Sequence, residues 1–315
     1  MQHRGQVLSP HGRRMLDLTL VGAAVVLGLV GLFVFVFHLA TDPLVDIHAY
    51  YEAAARLNAG LPLYAAQGDV NSPHYYFYPP LLAIVFRPLA LLPFQAAAVL
   101  WEIGMVAALG LTLWLLGLRR RWTWVAFGIL AGPIAWSISV GQAQVLVTLL
   151  LTLGNPAAVA VAAQIKLFPA LVAVYWLGRR DWQQLGRFVG WSVLLLVAQL
   201  VVEPGGTVAF IGQTNLGLVG QVNNLSPYAL SPILWAALSV VGVLIALRLA
   251  PTRAGWASAI AVSVLVTPRL LEYMLMTLIA ALRRTTPPAA IEPAQPRRSF
   301  WPGGPRAGQG PRPTP

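Results

Sequence analysis

Lys166 is the only lysine among the 21 basic residues. It stands between two short apolar runs, Ala162-Ala163-Gln164-Ile165 before it and Leu167-Phe168-Pro169 after it. An ammonium in such surroundings is costly to keep and marks a functional site by default; the structural alternative is a side chain snorkelling from a helix end. Two other breaks between apolar runs carry polar groups: Gly141-Gln142 with Gln144, and Thr267-Pro268-Arg269 with Glu272. A carboxylate able to take a proton from a hydroxyl lies far upstream, in Asp46-Ile47-His48-Ala49-Tyr50. A helix there puts Asp46 and Tyr50 one turn apart on one face. N-capping is the alternative role for Asp46, and Asp42, ahead of Pro43, is the rival carboxylate, where a turn-forming role fits better. The five histidines, including His38, His48 and His74, show no metal-ligand spacing, so no metal site is expected. Phosphate-loop, dinucleotide-binding and nucleophile-elbow patterns are absent.

The elements that must position these groups are membrane helices. The chain has 315 residues, 57% hydrophobic and 10% charged, with mean hydropathy +0.69; soluble domains carry about 25% charged residues. With no cysteine, disulfides and thiolate chemistry are excluded. The net charge of +11 comes from arginines clustered between apolar runs, which is the mark of membrane topology and not of nucleic-acid binding.

Residues 1–15 are expected to be a cytoplasmic N-terminus. The apolar run from 16 to 39 is long enough to cross a bilayer and too long for a cleaved signal. Residues 40–79 hold four acidic residues against one base, so they form an extracytoplasmic loop. The short, proline-bracketed run 79–93 reads as a re-entrant or interfacial helix, followed by a long helix from 95 to 118 that ends at Arg119, Arg120 and Arg121. Shorter pieces follow at 123–139, 142–153, 156–165 and 167–178. Such broken helices persist in a membrane only where protein or a water-filled cavity covers their backbone. A helix at 185–202 leads to a second large extracytoplasmic loop, 203–230, read as turn chemistry throughout. Further helices at 231–249, 254–267 and 270–282 complete an all-α polytopic domain spanning 16–284, with about ten crossings, eight to twelve in all. Residues 285–315 are expected to be a disordered basic, Pro/Gly-rich cytoplasmic tail. Glu102 is expected to pair structurally with Arg87.

The chain resembles glycosyltransferase family 87, membrane enzymes of GT-C type that use polyprenyl-phosphate sugars and include mannosyltransferases. The likeness runs through Val45-Asp46-Ile47-His48-Ala49-Tyr50, Gly60-Leu61-Pro62-Leu63-Tyr64, Tyr78-Pro79-Pro80-Leu81, Arg87-Pro88-Leu89 and Leu92-Pro93. It continues at Gly141-Gln142, Ile165-Lys166-Leu167-Phe168-Pro169, Asn223-Asn224-Leu225-Ser226 and Thr267-Pro268. At the last of these the chain departs, with Pro268-Arg269-Leu270-Leu271-Glu272-Tyr273 where related mannosyltransferases place aromatic and histidine residues after the proline.

The resemblance implies that Asp46 is the catalytic base, that the donor is a polyprenyl-phosphate hexose, mannose first, and that the site faces the extracytoplasmic side of the cytoplasmic membrane. Transfer to a lipid or glycan hydroxyl with inversion needs no general acid, because a phosphodiester leaves once cations stabilise its charge. Lys166 and Arg269 are the candidates for that role, with Tyr50, Tyr78, Gln142, Asn224 and Glu272 as sugar or acceptor contacts. No cofactor and no nucleic acid is expected; membrane lipids are the surroundings and a monomer is the expected state. A transporter or lipid flippase is the competing class, since broken helices with buried charge also mark transporters.

Overall fold

The computed structural model describes residues 9–64, 72, 74–214, 216, 219 and 222–284. Among these the chain is helical and contains no strand. The expected tail, 285–315, most of the expected N-terminal segment and the stretch of the first loop bearing Asp69 lie outside the described residues.

Helix α1 (Pro10–Thr41) opens on Ser9, whose hydroxyl accepts the Gly12 N–H, with proline at the first helical position. It exposes Leu18, Val25, Leu29 and Phe33, as a helix bathed in hydrocarbon must. With α4 (Phe94–Leu116), α10 (Trp182–Val202) and α12 (Pro232–Leu249) it forms the set of described helices long and apolar enough to cross a membrane singly. These four make the chain a membrane protein.

The shorter pieces lie against them. Helices α5 (Arg121–Ile129) and α6 (Ala131–Ser139) meet at a 67° bend. They run along α1 in the same sense: Asp17 near its start pairs with Arg121, and Leu44 just past its end donates its N–H to the Ser139 carbonyl at 2.9 Å. Small residues permit the approach, for a Cβ on Gly128 would stand 2.6 Å from the Ala24 carbonyl oxygen.

Four further elements, α7 (Gln144–Leu153), α8 (Pro156–Ile165), α9 (Val174–Gly178) and α13 (Gly255–Leu265), and two 3-10 segments, Phe168–Ala173 and Glu272–Leu282, contribute Leu151, Val159, Trp256, Ile260, Met276 and Ile279 to a buried apolar centre. That cover is what lets the chain break at Gly141, Lys166 and Pro268 without stranding backbone groups in lipid.

The first loop contains α2 (Val45–Asn58) and the seven-residue α3 (Pro80–Phe86). α3 is too short to cross, in keeping with a re-entrant or interfacial reading. Gln199 of α10 ties it down by accepting the Leu81 N–H at 2.9 Å while donating to Gln164.

Two local expectations are corrected. The segment 203–230 is not turn throughout: α11 (Pro204–Gln213) forms because Glu203 accepts the Gly206 N–H, Pro204 fits the first position, and Phe210 stacks on Tyr64. Glu102 and Arg87 do not form the expected structural pair. The Arg87 guanidinium donates to Asn58 at 2.9 Å, and the Glu102 carboxylate has no hydrogen-bond partner among the described residues.

Candidate active site

Helix α2 begins where the chain turns sharply, with Leu44 in the left-handed region (φ 58°). The N–H groups of Leu44 and Asp46 donate to the Ser139 and Val140 carbonyls, so the start of α2 is bolted to the end of α6. The next residue, Gly141 (φ +72°), leaves no room for a Cβ, which would collide with Ile47 beside Asp46. This close approach sets Asp46 against Gln142.

The Gln142 side chain is fully buried and its amide is engaged at both its oxygen and its nitrogen. Its Oε1 accepts from the Tyr50 hydroxyl at 2.6 Å and from the Tyr78 hydroxyl at 3.2 Å, and its Nε2 donates to Asp46 Oδ2 at 2.9 Å. The Tyr50 oxygen in turn accepts the Ala143 N–H. Burial first, with the negative charge of Asp46 adding to it, pushes the Tyr78 phenol up to about 12; both it and Tyr50 remain donors, which fixes the amide's orientation. Burial also pushes the Asp46 carboxyl up to about 6, against the pull of the Lys166 ammonium and of the Gln142 N–H.

On the other side of Tyr78 lies a cavity of about 430 Å³ whose walls include Phe77, Tyr78, Lys166, Phe168, Arg269 and Tyr273. Lys166 Nζ donates to Gln144 Oε1 at 2.9 Å and sits 5.2 Å and 4.8 Å from the ring centroids of Tyr78 and Tyr273. A closed chain fixes Gln144: its Nε2 donates to Thr277 Oγ1, the Thr277 and Thr148 hydroxyls meet at 3.1 Å, and Thr148 donates to the Gln144 carbonyl. Arg269 lies over the Phe77 ring at 5.4 Å. Two cations among aromatic and aliphatic walls suit a ligand with an anionic head and an apolar chain.

The structure therefore brings Asp46, Tyr50, Tyr78, Gln142, Lys166 and Arg269 into one neighbourhood, with Tyr78 between the carboxylate and the cationic cavity. Tyr50 and Gln142 are enclosed, so they reach any ligand through Asp46 and Tyr78. Asn224 bridges backbone: it donates to the Pro268 carbonyl at 2.9 Å and accepts from the N–H groups of Ser226 and Leu270, stapling its loop to the break that carries Arg269. Glu272 stands toward Gly132 of α6 and off the cavity wall. Asp42 caps the end of α1, accepting from Thr41 at 2.7 Å and meeting His38 Nδ1 at 2.8 Å. Sequence reasoning passed over Gln144 as a ligand-positioning group, and with it Thr148 and Thr277, because polar residues buried beside apolar ones carry no period or motif. Their only signal is the two-residue offset of Gln144 from Gln142.

A helical membrane protein with a half-buried carboxylate near two cations that line an apolar cavity has the parts of a membrane enzyme. By sequence, the chain belongs to glycosyltransferase family 87, whose family model matches residues 76–283. Two curated relatives carry the name polyprenol-phosphate-mannose-dependent alpha-(1-2)-phosphatidylinositol pentamannoside mannosyltransferase. The one from Mycolicibacterium smegmatis is 35% identical over 157 residues, 44% of this chain and 38% of the relative. The one from Mycobacterium tuberculosis is 34% identical over 157 residues, 43% of this chain and 36% of the relative. The similarity thus spans well under half the length of either relative. No solved structure matches the chain.

Proposed function

We propose that the protein transfers a hexose, mannose by analogy with its relatives, from a polyprenyl-phosphate donor to a hydroxyl of a lipid-anchored acceptor, with Asp46 as general base. In this reading the acceptor hydroxyl attacks the anomeric carbon while Asp46 takes its proton. The bond from that carbon to the phosphate oxygen breaks on the opposite face, so configuration inverts and polyprenyl phosphate leaves. Lys166 and Arg269 neutralise the departing phosphate within the apolar cavity, where charge is weakly screened. Gln142 acts as a positioning residue, holding Asp46 through one amide hydrogen while the two tyrosines hold the amide. A phosphatidylinositol-based glycolipid is the acceptor class that the relatives' names suggest.

The topology proposed is of GT-C type, with about ten passes: α1, α4, the bent α5–α6 pair, α7, α8, the 3-10 segment leading into α9, α10, α12, α13 and the last 3-10 segment. In its support, Arg119–Arg121, Arg179, Arg180, Arg248, Arg253, Arg283 and Arg284 all fall at one alternate set of turns, read as cytoplasmic. The remaining set carries Asp46, Gln142, Lys166 and Arg269 and is read as extracytoplasmic. A ten-residue helix covers about 15 Å, so the breaks lie within membrane depth, sheltered by the surrounding helices. The single observation that carries the proposal is the half-buried Asp46–Gln142–Tyr78 bridge facing the Lys166–Arg269 cavity. The test is transfer of labelled sugar by the purified chain from synthetic polyprenyl-phosphate-mannose and polyprenyl-phosphate-glucose to membrane lipid extract. Mannose transfer that yields a lipid-soluble product whose anomeric configuration is opposite to that of the donor is expected. A well-folded preparation that transfers neither sugar contradicts the reading.

A further inference from the structure

Beyond the catalytic neighbourhood, the first loop gathers a second set of side chains with different chemistry. His48 and Glu52 are one turn apart on α2, and His74, far along the loop, closes on them: the donor atoms of all three lie within 4.8 Å of one another. Glu52 Oε1 is 2.8 Å from His74 Nδ1 and 3.9 Å from His48 Nδ1. A tetrahedral Zn²⁺ with bonds of about 2.1 Å holds its ligand atoms about 3.4 Å apart, a value these two distances bracket. The His48 ring stacks on Phe94, with centroids 3.9 Å apart, and the two imidazole centroids lie 5.2 Å apart with their planes tilted by 42°. Small rotations of exposed side chains are then enough to bring three ligands onto one ion.

We propose that His48, Glu52 and His74 form a binding site for a divalent transition-metal cation, Zn²⁺ by preference, that clips the loop ahead of Tyr78 to helix α2. Two imidazole nitrogens and one carboxylate are a zinc ligand set and a poor one for Mg²⁺, which prefers oxygen. Three protein ligands leave a fourth position for water. The ion sits on the helix that bears Asp46 and Tyr50, and four residues before Tyr78. Holding His74 to α2 therefore shortens the free chain leading into the wall between carboxylate and cavity. Metal binding here stands or falls independently of the glycosyl-transfer reading.

The test uses tag-free, detergent-solubilised full chain with His3 and His11 changed to alanine, stripped by chelator, and titrated with Zn²⁺ and with Mg²⁺ against a competing chromophoric chelator. One equivalent of Zn²⁺ is expected to bind, with no Mg²⁺ uptake under the same conditions. Affinity is expected to fall tenfold or more in each of His48→Ala, Glu52→Gln and His74→Ala, and to persist in His38→Ala, which breaks the His38–Asp42 pair. Because the three ligands are on the surface, metal-free variants and metal-free parent should share one melting temperature, with Zn²⁺ raising only the parent's. Absence of stoichiometric Zn²⁺ uptake, or a loss of affinity in fewer than two of the three variants, overturns the site.

Discussion

Asp42 and Asp46 are four residues apart, and the chain around them shows how position and not residue type assigns a carboxylate its work. Asp42 ends α1 and is occupied locally, by Thr41 beside it and His38 one turn back. Asp46 starts α2 and has one side-chain hydrogen bond, from a glutamine 96 residues away, with a lysine and an arginine close enough to act on its charge. The first carboxylate is engaged, through Oδ1, by its own helix end. The second is held by tertiary structure beside two cations, and that is the arrangement a general base requires.

The comparison can be broken most decisively at Asp46. Asp46→Asn keeps the shape and the amide contact and removes the base, so transfer is expected to fall by about 10³-fold or more in a steady-state assay. Melting should be unchanged or slightly raised at neutral pH, because a half-buried negative charge has been removed.

Next in size is Lys166→Met, which preserves the methylene stem and removes the ammonium facing the cavity. A loss of about 10²–10³-fold is expected, mainly in kcat, since the charge it answers develops as the phosphate departs. Gln142→Ala frees Asp46 from its tether and leaves two phenols without their shared acceptor; a loss of about 10²-fold is expected, as for other displaced catalytic groups.

A pH profile sharpens the same contrast. The Asp46 carboxyl is raised to about 6 by burial, so the ionised base is present above that pH and protonated below it. Wild-type kcat/KM should therefore decline as pH falls through about 6, approaching tenfold per unit, whereas a base with an ordinary carboxyl would hold its rate down to about 4. A smaller effect, read as stability, is expected at Gly141→Ala. The positive φ of +72° and the collision with Ile47 should cost about 1–3 kcal/mol and lower the melting temperature.

Much of this was legible from sequence where the signal was a charge or a length. α1 and α4 could be read from unbroken apolar runs and α3 from its proline brackets; Lys166 was singled out by its improbable surroundings, and Asp46 by the family resemblance. α11 was not legible, because Pro204-Gly205-Gly206 reads as a turn until Glu203 supplies the cap and Tyr64 the packing partner. The Gln144–Thr277–Thr148 chain is invisible for a related reason: it joins residues more than 120 positions apart whose individual types are common in any buried helix. The His48–Glu52–His74 cluster escaped because His74 meets the other two only through the path of the loop, though the one-turn offset of His48 and Glu52 was there to be read.

The most direct test of the account compares Asp46→Asn and Asp42→Asn side by side in one transfer assay with polyprenyl-phosphate-mannose, each variant checked for wild-type melting. The account predicts that Asp46→Asn falls about 10³-fold or more below wild type and that Asp42→Asn stays within about threefold. Activity that survives at position 46 and disappears at position 42 would contradict it, and would move the base to the end of α1.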